Sequence, residues 1–99
     1  PSTAAVAAVH ALFNPVMEFI RAAVDGGGRV LIHCFAGAHR AGTTAIAYLM
    51  HRRAIDVREA LTEAKTCRPI IDPLGGFASL LVRLDVANRK RLALEAASK

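Results

Sequence analysis

With 99 residues, 54% of them apolar, and a formal net charge of +5, the chain has room for one domain with a modest core. A mean hydropathy of +0.34 excludes disorder. Two cysteines argue against a disulfide scaffold and for a reducing compartment, cytoplasmic or nuclear. Aromatics at 5% are too few for a base-stacking platform, no nucleic-acid module is visible, and no apolar run is expected to reach membrane-span length.

In chain order, Thr3 to Val24 reads as helical and alanine-rich. Asn14-Pro15 reads as an N-cap with a first-turn proline, so a new helix is expected to start there. Val16, Phe19, Ile20 and Val24 recur at helical spacing and are expected to face the core. Gly26-Gly27-Gly28 ends that segment and leads into Arg29-Val30-Leu31-Ile32-His33, a short run suited to a strand buried on both faces.

Past the next loop, Thr43 to His51 is apolar almost all round, as in a centrally packed helix. Asp56 with Glu59 three positions on marks a helix start, and Val57, Ala60, Leu61 and Ala64 form its apolar stripe, which Cys67 is expected to close. Pro69 and Pro73 punctuate a connection. A last helix then presents Phe77, Leu80, Leu81 and Leu84, and residues 85–99, with Arg89-Lys90-Arg91, read as a basic helical tail. A lone strand leaves its N–H and C=O groups unpaired, so stability in isolation is suspect and self-association through that edge is an expectation.

The stretch from Val30 to Thr43 carries the chemistry. Cys34 and Arg40 frame five residues, a C-x5-R arrangement. The N–H groups of Phe35, Ala36, Gly37, Ala38, His39 and Arg40 can curl into a nest at the positive end of the following helix, a site for an oxyanion such as phosphate or sulfate. Cationic and dipolar neighbours favour the thiolate of a cysteine in such a nest, and the planar fork of Arg40 can meet two phosphate oxygens. A bare C-x5-R also fits a buried, inert cysteine. The preceding His33, the internal Gly37, a strand before and a helix after make the functional reading the stronger one. His10 and His51 lack partners at metal-ligand spacing, so neither a metal nor a cofactor is expected.

His33-Cys34-Phe35-Ala36-Gly37-Ala38-His39-Arg40 resembles the signature loop of the cysteine-dependent protein phosphatases, and its Ala-Gly wording is most like the dual-specificity branch. Ala45-Ile46-Ala47-Tyr48-Leu49-Met50 and Ile71-Asp72-Pro73-Leu74-Gly75-Gly76-Phe77 are similar to later stretches of the same family. The resemblance covers about residues 19–84. It implies an α/β fold: the C-terminal part of a dual-specificity-phosphatase-like domain, with one buried strand at about 29–33, a phosphate loop and three helices, preceded by a helical segment and lacking its N-terminal portion. It implies a phosphorylated protein substrate, Cys34 as nucleophile through a cysteinyl-phosphate, Arg40 and the loop N–H groups as phosphate ligands, and His33 and Thr43 as loop support.

Two departures from the family stand out. Ala41 replaces a serine or threonine associated with breakdown of the phospho-enzyme, although regenerating-liver phosphatases also carry alanine there. The family's general acid is an aspartate well upstream of the nucleophile, at a spacing that here reaches Pro1-Ser2-Thr3, and no carboxylate precedes Glu18. Asp25 should lie at the far end of the strand from Cys34. Weak phosphotyrosine hydrolysis, extending to phosphoserine or phosphothreonine, is therefore the leading expectation. A phosphate-reading module without turnover and a phosphoinositide or RNA 5′-phosphatase are the alternatives.

Overall fold

A computed structural model describes residues 2–34, 39–73 and 76–98. Four helices fill it: α1 (Thr3–Asp25), α2 (Arg40–Arg53), α3 (Val57–Cys67) and α4 (Gly76–Ser98). The second is central and packs against each of the other three. Ile46 and Ala47 of α2 are completely buried, among Phe13, Met17 and Ile20 of α1, Ala60 and Ala64 of α3, and Leu81 and Leu84 of α4.

The expected α/β architecture is overturned, because no strand occurs among the described residues. A strand exists only through its ladder of partners, and the described residues offer Arg29–His33 none. Burial there alternates residue by residue: Val30 and Ile32 pack on the core, whereas Leu31 is 83% exposed and His33 is also exposed. That is the period of a chain with one covered face rather than two.

Helix α1 differs from expectation in three respects. It runs unbroken through Pro15. An interior proline forfeits a backbone hydrogen bond and costs about 3 kcal/mol, and burial of Phe13, Met17 and Ile20 on either side offsets that. The core stripe is those three residues, at i, i+4 and i+7, leaving Val16 at 45% and Phe19 at 69% exposure with Val24 also outside. Finally, α1 does reach span length, with 23 residues and a mean hydropathy of 1.4. It also packs onto α2 and α4 and carries the ion-paired Glu18, Arg21 and Asp25, so length and composition alone do not assign it to a bilayer.

The ends of the helices follow local chemistry. Ser2 Oγ accepts from the Ala5 N–H at 3.1 Å, and Asp56 accepts from the Glu59 N–H at 2.8 Å, each satisfying an orphan donor. Gly27 turns the chain away from α1 at φ +86°, which a side chain would resist. Cys67 ends α3 exposed, so it does not close the apolar stripe as expected. Between α1 and α4, His10 Nε2 donates to the buried Asn88 Oδ1 at 2.8 Å.

One close approach positions the head of α2. A Cβ at Gly42 would sit 2.8 Å from Ile71 Cγ2, so this turn lies against the α3–α4 connection at a distance only glycine allows. Gly42→Ala is expected to lose about 1 kcal/mol, overpacking outweighing the helix propensity gained. A fall in Tm of about 4–8 °C would register it, and Ile71→Leu, which removes the crowding methyl, should recover part.

The buried Tyr48 hydroxyl has no hydrogen-bond partner among the described residues. Tyr48→Phe should therefore be neutral or stabilising by up to about 1 kcal/mol in urea unfolding. A clear loss would show that the hydroxyl has a partner in solution.

His51 is half-buried, and burial, then the nearby Arg91, hold its pKa below the ordinary 6.5, with His10 and Arg21 adding and Glu18 opposing. The folded state thus binds this proton less readily than the unfolded chain. Its contribution is complete above the unfolded pKa, falls as pH drops below it, and levels off below the folded value. The urea midpoint should decline between about pH 7.5 and pH 5.5, and less so in His51→Gln.

Candidate active site at the head of α2

The path from Cys34 to Arg40 brings the thiol to the start of α2. Cys34 is half-buried, and its Sγ accepts a hydrogen bond from the Ala41 N–H at 3.4 Å. Ala41 is the second residue of α2, so its N–H is one of those without an acceptor inside the helix. The partial positive charge of the helix start is thereby aimed at the sulfur, an arrangement that favours an anion there. Arg40 opens α2 and is exposed.

Both lie on a cleft of about 770 Å³ formed with Ile32, His33, His39, Ala41, Thr44 and Phe77. Phe77 comes from the first turn of α4, which makes the cleft a joint product of two helices and the segment before α2. Phe35, Ala36, Gly37 and Ala38, expected to supply phosphate-binding N–H groups, lie outside the described residues.

The supporting residues fare unequally. Thr43 is buried, and both its N–H, at 2.9 Å, and its Oγ1, at 2.7 Å, donate to the His39 carbonyl. The His39 ring reaches in the other direction, with Nδ1 2.7 Å from the Asp72 carbonyl oxygen. That bond spans two connections far apart in sequence. Its one sequence signal was a histidine within the loop, without a visible partner. His33 lines the cleft but is exposed. Thr44, whose Oγ1 donates to the Arg40 carbonyl at 3.1 Å, is a lining residue that the motif did not reveal.

No carboxylate lines the cleft among the described residues. Asp25 sits elsewhere: its carboxylate meets Arg52, in the last turn of α2, at 2.8 Å and Arg21 at 3.1 Å. Those guanidiniums, Arg52 first, hold its carboxyl below the usual range. Arg52 and Arg40 are separated by most of α2, about 18 Å at 1.5 Å per residue, so Asp25 belongs to the opposite end of that helix. No cluster of metal-ligating side chains occurs among the described residues.

Comparison with known proteins gives one family. The family model for the dual specificity phosphatase catalytic domain matches residues 3–86. The chain is 40% identical over 73 residues to dual specificity protein phosphatase 18 of Pongo abelii, covering 74% of this chain and 39% of that protein. It is 30% identical over 87 residues to dual specificity protein phosphatase PHS1 of Arabidopsis thaliana, covering 88% of this chain and 9% of that protein. The crystal structure of human DUSP28 superposes with a TM-score of 0.76 at 32% identity, covering 80% of this chain and 53% of that one. The chain thus spans about half the length of that solved relative, or less for the other two. With the family model spanning α1 to the middle of α4, and the Cys34–Arg40 loop at the head of α2, the chain belongs to the dual specificity phosphatase family.

Proposed function

We propose that this chain provides the nucleophile and phosphate-binding half of a phosphatase site acting on phosphotyrosine, and on phosphoserine or phosphothreonine, in proteins. The observation that carries the reading is the Ala41 N–H directed at Cys34 Sγ at 3.4 Å, on an open cleft that Arg40 also lines. A thiolate there attacks phosphorus as the bond to the ester oxygen breaks. Water then cleaves the P–S bond, returning the thiolate and releasing inorganic phosphate. Negative charge on the equatorial oxygens is met by Arg40 and the backbone donors of the helix start.

Protonation of the departing oxygen is the weak step, because no carboxylate lines the cleft among the described residues. General acid catalysis is worth roughly 10²–10⁴-fold, most for poor leaving groups. The same observation favours a second reading, a module that captures phosphorylated ligands with little turnover.

Hydrolysis of a series of aryl phosphates by the chain and by Cys34→Ser separates the two. The phosphatase reading expects Cys34-dependent turnover that falls steeply as the leaving phenol becomes less acidic. Turnover equal to that of Cys34→Ser, with retained phosphate binding, would favour the module.

A further inference from the structure

The geometry points to His39 as a positioning residue that ties the start of α2 to the α3–α4 connection through its bond to the Asp72 carbonyl. This deepens the phosphate-binding reading above and rests on it. His39 stands immediately before Arg40, at the N-cap of α2, but its side chain caps nothing in that helix. Instead Nδ1 lies 2.7 Å from Asp72 O. A carbonyl can only accept, so Nδ1 carries the proton and the tautomer is set by the fold.

The residue is held from both sides. Its own carbonyl receives two donors from Thr43, at 2.9 and 2.7 Å, while its ring grips the connection in front of α4. The neighbouring Ile71 is the residue against which Gly42 packs, and Ile71 N–H closes a turn onto the Arg68 carbonyl at 3.1 Å. The stretch from Arg68 to Asp72 is therefore held against α2 by contacts of its own. It also leads to Phe77, which lines the same cleft as Cys34, His39 and Arg40.

His39 thus joins two walls of the cleft. Arg40 and the Ala41 N–H follow it directly in the chain, so the orientation of His39 sets where guanidinium and sulfur ligand lie relative to the Phe77 wall. A serine here would be too short to bridge to the connection by the same path. Asparagine places an N–H the same number of bonds from the backbone as Nδ1, so it should preserve the link.

The test compares the full chain with His39→Ala and His39→Asn. The readouts are binding of inorganic phosphate, the iodoacetamide alkylation rate of Cys34 with the exposed Cys67 as internal control, and aryl phosphate turnover. His39→Ala should bind phosphate about threefold to tenfold more weakly, the equivalent of one hydrogen bond. Its Cys34 alkylation rate should change while that of Cys67 does not, with a fall in Tm no larger than the several degrees one hydrogen bond is worth, and His39→Asn should restore most of both. In the parent chain, ¹⁵N shifts of the ring should report the Nδ1–H tautomer. A His39→Ala protein equal to the parent in binding and alkylation would overturn the assignment, as would a His39→Asn protein no better than His39→Ala. Should the parent neither bind nor hydrolyse phosphate, the phosphatase reading falls by itself. An unchanged Cys34 alkylation rate in His39→Ala would then overturn the role of His39, and an altered rate would support it.

Discussion

The contact between Gly42 and Ile71 sets the depth at which the first turn of α2 lies against the rest of the protein. A helix start has N–H groups with no acceptor inside the helix, and their use depends on what the surrounding chain brings to them. Here the answer is a sulfur: the Ala41 N–H meets Cys34 Sγ. Because Gly42 seats α2 directly on the connection before α4, His39 can reach Asp72 and Phe77 can close the cleft. Each feature of the site is a consequence of how closely one turn of helix is held.

The two ends of α2 divide the charge of the molecule. At the head lie Cys34, Arg40 and the open N–H groups, an environment suited to a dianion. At the tail, His51, Arg52 and Arg53 occupy the last turn, where positive charge complements the helix dipole. Arg52 there pairs with Asp25, and Arg53 pairs with Glu63 of α3. These pairs are exposed, and surface pairs of this kind contribute little to stability. Their consequence for function is that Asp25, the first acidic residue upstream of Cys34, is committed away from the thiol.

Which residues gather at the head of α2 was more legible in the sequence than the packing around them. Cys34, Arg40 and Thr43 stand out through their spacing together with His33 and Gly37, and the structure brings all three to the head of α2. The start of α3 was legible for the same reason, since Asp56 acts on a donor three residues away. Errors arose where the outcome depended on distant neighbours. Val16 and Phe19 fit a helical stripe as well as Phe13 and Met17 do, and periodicity alone cannot say which stripe meets α2 and α4. Arg29–His33 has the composition of a strand, but a strand also needs a partner.

By itself the sequence determined the Cys34–Arg40 spacing and the helix that follows it, because each depends on residues within a few positions of one another. Only the tertiary structure decided that His39 grips Asp72, that Phe77 faces Cys34 across a cleft, and that Asp25 pairs with Arg52 instead of approaching the thiol. Those contacts join segments far apart along the chain. They exist because burial of Ile46, Ala47 and Met50 holds α2 at the centre of the core, and no local pattern encodes where such a helix brings its two ends.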